Sequence, residues 1–168
     1  IALSASGRFV AFSSLATGMV AEDTNNKVDV FLRDTVAATT SLVSQHSWAS
    51  PSLTNNDSWF PSISADGRFV AFQSYASNMV DGDGNGVADV FIRDMARGTT
   101  SRYSTDGYGA EANGASVEPV ISADARYVAF ASQATNLVPG GAGMGAYSDI
   151  YMRAVPEIWL APLPAPFQ

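Results

Sequence analysis

Cysteine is absent from the 168 residues, and histidine occurs once, at His46. The first absence removes disulfides, thiol nucleophiles and thiolate metal sites together. The second leaves too few imidazoles for a histidine-rich zinc centre. Basic residues are also scarce: nine Lys and Arg stand against sixteen Asp and Glu, for a net charge of −7 and a pI of about 4.4, with no basic run anywhere. Phosphate backbones and anionic membrane surfaces are therefore poor partners, and no nucleic-acid binding is expected. No apolar run approaches the roughly 20 residues that a membrane-spanning helix needs, and no basic segment followed by an apolar one marks a signal peptide. Helical periodicity is missing, while Gly and Pro are spread along the chain at turn positions. With 46% hydrophobic residues there is still enough apolar material for a core.

What is present is a repeat. Pro61-Ser-Ile-Ser-Ala-Asp-Gly-Arg-Phe-Val-Ala-Phe72 has copies at Leu3–Phe12 and Ile121–Phe130, and Asp89-Val-Phe-Ile-Arg93 has copies at Asp29–Arg33 and Asp149–Arg153. Arg8, Arg68 and Arg126 mark units spaced by 60 and then 58 residues, a period that indicates stacked supersecondary units. Each unit reads as two strands around a tight turn, an excursion of about 15 residues and a third strand. Thr39–Ser44 and Thr99–Ser104 supply a fourth strand in two copies. Continuous apolar runs such as Phe69–Phe72 predict strands buried on both faces. Asp66-Gly67 is a good turn pair, whereas Ala125 replaces the glycine in the third copy and predicts another turn type there. Four short strands per unit is the arithmetic of a β-propeller blade.

The expected architecture is thus all-β, a propeller of four-stranded blades with three repeats in this chain, either a partial ring or half of an oligomeric one. Residues 1–153 hold the blades (about 1–44, 61–104 and 119–160), and 154–168 form a proline-rich tail in which Ile158–Leu160 is a candidate outer strand. Polar connectors, 45–60 and 105–118, align on Asn55/Asn113, Ser58/Ser116 and Pro61/Pro119. The chain opens inside a repeat without an initiator Met, so a fragment or a processed chain is expected. Propellers close with 4 to 8 blades, and an open three-blade arc would expose apolar faces; two chains would make six blades.

These motifs, P-x-I-S-x-D-G-R-[FY]-V-A-F, D-[VI]-[FY]-x-R and T-T-S, resemble the WD40-like repeats of TolB-type bacterial β-propellers over nearly all of residues 1–153. The resemblance implies Ser4, Ser64 and Ser122 on the innermost strands, and a periplasmic, cell-surface or extracellular location. It also implies a protein-docking role, or attachment to a hydrolase as a non-catalytic propeller.

One loop carries sharper chemistry. Asp81-Gly-Asp-Gly-Asn-Gly-Val-Ala-Asp89 places Asp81, Asp83 and Asn85 in alternation, with the Val87 carbonyl and Asp89 to close a shell of oxygens, the kind of ligand set that Ca2+ takes. It is similar to calcium loops of EF-hand and integrin-propeller type, although Ile92 stands where an EF-hand has Glu. Repeat one keeps Asp23, Asn25 and Asp29 but has Ala21 in place of the first carboxylate and Lys27 nearby, a weaker version. Repeat three, from Val138 to Asp149, has almost no ligands and is expected to bind no metal. No catalytic residues are assigned. A triad would need His46 without a G-x-S-x-G elbow, and the connector carboxylates Asp57, Glu111 and Glu118 are not uniformly acidic across repeats. Trp48, Asp57, Trp59, Tyr108 and Glu118 are candidates for a partner surface. The resulting reading is a non-enzymatic, calcium-stabilised scaffold or binding module for a protein or carbohydrate partner, oligomeric or part of a longer chain. The propeller portion of a peptidase- or glycosidase-type hydrolase is the alternative.

Overall fold

The computed structural model describes residues 1–46, 53–139 and 148–156. They form three antiparallel sheets. Blade one comprises β1 (Ala2–Leu3), β2 (Phe9–Ser14), β3 (Asp29–Asp34) and β4 (Thr39–Leu42); blade two comprises β5 (Ser58–Ile63), β6 (Phe69–Ser74), β7 (Asp89–Asp94) and β8 (Thr99–Arg102). In blade three, β9 (Ser116–Ile121), β10 (Tyr127–Ser132) and β11 (Asp149–Ala154) follow the same meander. The candidate outer strand at Ile158–Leu160 lies outside the described residues. First strands touch one another, β1 with β5 and β5 with β9, so the sheets fan out from a common inner edge.

Two apolar clusters fill the spaces between sheets, and strand alternation explains how one strand serves both. In β6, Val70 and Phe72 pack toward Ala11, Val30, Leu32 and Val43 of blade one. Phe69 and Ala71 point the other way, toward Val128, Phe130 and Leu137 of blade three. Every residue of β6 and β7 is consequently buried, the physical origin of the continuous apolar runs. The end blades differ: β10 buries only alternate residues, and most of β11 is exposed.

The hairpin between the first two strands is built alike in all copies. Ser4, Ser64 and Ser122 accept, through Oγ, the backbone N–H of Phe9, Phe69 and Tyr127, each at 3.0 Å. All three serines lie one residue past the inner strand, in the turn, rather than on the strand as the resemblance implied. The left-handed position of this turn is Gly7, Gly67 or Ala125, with φ of 71°, 79° and 59°. Ala125 thus adopts the same turn, not another type: its methyl is buried in the second cluster, which offsets the roughly 1–2 kcal/mol cost of a left-handed alanine. Successive turns are also stitched together, since Ala5 N–H donates to the Ala65 carbonyl (3.0 Å) and Ala65 N–H to that of Ala123 (2.9 Å).

Blades two and three begin their sheets earlier than the repeat boundary at Pro61 and Pro119. A bulge allows this. Phe60 and Glu118 both have φ of 53°, and the β5–β6 register shifts between Trp59 and Ser62. The bulge lets a proline, which has no N–H to donate, sit inside the strand. Beyond the bulge, Ser58 and Ser116 resume pairing and bond through their hydroxyls to Ser74 (2.9 Å) and Ser132 (2.8 Å).

After the third strand, Asp34 and Asp94 each begin a turn and accept a two-pronged bond from the arginine that follows the hairpin. Arg8 reaches Asp34 at 3.0 and 2.7 Å, and Arg68 reaches Asp94 at the same distances.

Candidate functional site

The long excursion between β6 and β7 returns to the sheet at Asp89, whose carboxylate is fully buried. One of its oxygens accepts the Ser104 hydroxyl, and the other accepts Asn85 Nδ2 at 2.9 Å. The Asn85 amide also donates to the Ala112 carbonyl in the next connector (3.0 Å), while its Oδ1 accepts the Val87 N–H (2.9 Å). Asn85 is therefore fully engaged in fastening the loop to the blade and to the connector. Asp83 comes in beside Asp89, and Glu111 arrives from the connector, its Oε1 accepting the Gly84 N–H at 3.0 Å. The three carboxylates each have an oxygen within 4.8 Å of the others.

Arg102, at the end of β8, occupies the space among them. Its Nη1 bonds Glu111 at 2.5 Å and lies 3.7 Å from Asp83 and 3.9 Å from Asp89, while Nη2 donates to the Gly82 carbonyl at 3.2 Å. Three carboxylates thus surround one guanidinium. Burial, reinforced by the charge of Asp89, pushes the Asp83 carboxyl up to about 6. Burial also raises Asp89, against the lowering effect of the Ser104 and Asn85 hydrogen bonds.

Of the expected ligand set, then, Asp83 and Asp89 are brought together. Asn85 serves as a latch, and Val87 contributes its N–H to Asn85. Asp81 stands out in solvent, 3.9 Å from His46 Nε2. Glu111 joins the cluster although its sequence neighbourhood gave no ligand pattern, and so does Arg102.

Blade one repeats the latch without the guanidinium. Asp29, fully buried, accepts hydrogen bonds from Ser44 (2.6 Å), Asn25 (2.8 Å) and Thr54 (3.2 Å), and Asn25 Oδ1 accepts the Lys27 N–H at 2.9 Å. Leu42 and Leu53 take the places of Arg102 and Glu111. Asp23 is 5% exposed, and its Oδ1 is buried without a hydrogen-bond partner. In blade three, most of the corresponding loop lies outside the described residues, and Asp149 is exposed.

The candidate partner residues are scattered. Trp48 lies outside the described residues. Asp57 accepts the Val28 N–H at 2.8 Å and so ties the connector to blade one. Trp59 meets Tyr75 edge to face at 5.9 Å. Glu118 is exposed at its bulge, its N–H donating to Gln73 Oε1 at 2.9 Å, and Tyr108 is 93% exposed. Nor does a hydrolytic set assemble among the described residues: His46 Nδ1 has no partner, Ser44 is committed to Asp29, and Glu111 to Arg102.

Two four-stranded meanders and a third of three described strands, packed face to face around a shared inner edge, define a section of a β-propeller. Its fold is that of the TolB propellers. TolB from Acinetobacter baumannii superposes with a TM-score of 0.50 at 15% identity, over 90% of this chain and 28% of that one. A TolB from Agrobacterium tumefaciens described as putative gives 0.55 at 18%, over 90% of this chain and 40% of that one. The chain therefore spans well under half the length of these propellers. The tricorn protease matches at 0.48 and 15% identity, over 79% of this chain and 10% of that one. No protein-family model matches the sequence, and no curated protein does.

Proposed function

We propose that the chain is a non-enzymatic, cation-stabilised propeller scaffold that completes its ring with a second copy of itself and binds a protein partner in the bacterial envelope. The observation that carries this reading is the pair of unmatched end faces. Tyr127, Ile150 and Met152 of blade three correspond to Phe69, Val90 and Ile92 of blade two; Ile150 is 76% and Met152 64% exposed, whereas their blade-two equivalents are buried. At the other end, Leu3 is 64% exposed where Ile63 is buried, and Val10, Phe12 and Met19 are only partly covered where Val70, Phe72 and Met79 are fully enclosed.

Each end thus presents the half of a blade-to-blade contact that the other end lacks. Among the described residues no nucleophile–base pair assembles, and the carboxylates that gather, Asp83, Asp89 and Glu111, are taken up by Arg102, which favours binding over hydrolysis; the almost fully exposed Tyr108 is the kind of aromatic that anchors protein interfaces. A TolB-like fold agrees with an envelope location.

Light scattering on the chain tests the reading. The expected mass is twice the 17.6 kDa of one chain, and Ile150→Glu with Met152→Glu is expected to return it to one. A folded monomer at tens of micromolar would overturn ring closure by a second copy.

A further inference from the structure

Each internal joint between blades is closed by the same two parts, a hairpin turn and the aromatic ring it covers. Gly67, the left-handed residue of the blade-two turn, is buried against Phe9 of blade one, so close that a Cβ there would lie 2.2 Å from Phe9 Cδ2. Ala125, its counterpart in blade three, is 3% exposed and shares a cluster with Phe69 of blade two, which is 2% exposed. Turn and ring thus hide each other at both joints.

The same parts stand uncovered at the two ends of the chain. Gly7 adopts the same left-handed turn, with φ of 71° against 79° at Gly67, but it is exposed, and no atom beyond its chain neighbours comes within 4 Å of where its Cβ would lie. Tyr127 occupies the place of Phe9 and Phe69, its N–H held by the turn serine as theirs are, yet it is 46% exposed. Beside it, Arg126, Ala154 and Val155 complete the lining of a hollow of about 150 Å3. The Val155 N–H donates to the Arg126 carbonyl at 2.8 Å, as Met95 does to Arg68 at 2.9 Å. The wall around Tyr127 is therefore built like the wall that blade three covers in blade two.

We propose that the Ser6–Gly7 turn of a second copy seats on Tyr127, in the register that Gly67 and Ala125 take within the chain. A third joint of this kind needs one free turn and one free ring, and the chain carries both at opposite ends. Glycine at position 7 lets backbone approach an aromatic face closely, as Gly67 does, and tyrosine suits a ring whose edge meets water. The seat rests on the two-copy reading above and adds to it which ends meet and in what register.

Cysteine is absent from the chain, so paired cysteines report the contact directly. Gly7→Cys with Tyr127→Cys, mildly oxidised and run without reductant, is expected to yield a covalent species of two chains that reductant releases; each single variant is expected to stay at one. A disulfide needs Cα atoms roughly 4.4–6.8 Å apart, so the bond reads the register. Gly7→Phe, which crowds the seat, is expected to weaken dimerisation roughly 10- to 100-fold. Tyr127→Phe, importing the residue of both internal joints, should leave it within about threefold. A single variant that crosslinks as readily as the pair would mean that like ends meet, and would overturn the proposal. So would a scattering mass of two chains with no covalent bond in the pair and no weakening in Gly7→Phe, a result that spares the ring. A covalent ladder beyond two chains supports the seat and refutes the two-copy ring, and a wild-type mass of one chain at tens of micromolar refutes both.

Discussion

Replacing Asp94 by alanine isolates the ion-pair network at the outer end of blade two. The carboxylate is fully buried and accepts from Arg68 at 3.0 and 2.7 Å, from Arg97 Nη1 at 3.1 Å, and from the backbone N–H groups of Ala96 and Arg97 at 3.0 and 3.2 Å. Removing one partner of a buried pair costs about 3–5 kcal/mol because the other charge stays desolvated. Here the arginine side chains are 15% and 27% exposed, so some hydration survives and the lower end, about 3 kcal/mol, applies. With a urea m-value of about 2 kcal/mol/M, the midpoint should fall by about 1.5 M. Asp34→Ala in blade one is the internal control: Arg8 is 47% exposed, so the loss should be clearly smaller.

A pH arm adds a sign. Burial alone would raise Asp94, but the hydrogen bonds from Arg68 and Arg97 outweigh it and hold the carboxyl below its ordinary value. A lowered folded pKa contributes stability above the ordinary carboxylate range, and this is lost as pH falls through the folded value. Wild type should therefore lose stability in acid more steeply than Asp94→Ala. A deficit below about 1 kcal/mol, or one no larger than that of Asp34→Ala, would refute the reasoning.

Gly67→Ala should destabilise by about 2–4 kcal/mol, combining a left-handed alanine with a packing clash. The added Cβ would lie 2.2 Å from Phe9 Cδ2. Phe9→Ala in the same chain should restore part of the loss, and equal melting of the single and double variants would contradict this. Asp83 acts on pH in the opposite direction to Asp94. Its folded value near 6 exceeds the unfolded one, so its contribution falls as pH rises from about 4 to 6. Asp83→Asn should flatten that part of the Tm–pH profile, and an unchanged profile would show that the carboxyl is not held up.

The blades were legible because the repeat is written in residues that act locally: a serine and a left-handed residue for the hairpin, alternating large side chains for a strand packed on both sides, an aspartate to start a turn. The bulge before Pro61 was not legible, since the positive φ falls on Phe60, a residue with no preference for it. The cluster was half legible. The alternation of Asp83 and Asn85 marked a folded-back loop, but it could not show that the Asn85 amide is spent on Asp89 and Ala112. Glu111 and Arg102 enter from 28 and 19 residues beyond Asp83, through blade packing rather than local pattern. The one available signal was comparative: Arg102 stands where the first repeat has Leu42, a charge replacing an apolar residue at the end of an otherwise matched strand.

The stitched hairpin turns carry a further consequence. Ala5 donates to Ala65, and Ala65 to Ala123, so the series has a direction, and the contact it repeats is head-to-tail. Such a contact contains nothing that counts copies: it ends in a ring when the wedge angle divides the circle and in an open filament when it does not. In the proposed ring, copy number would be encoded in how closely neighbouring turns approach, and the close approach of Gly67 to Phe9 would be one place where that angle is set. In the proposed two-copy ring, a larger residue there is expected to change the geometry of assembly as well as its strength, opening the ring toward a filament.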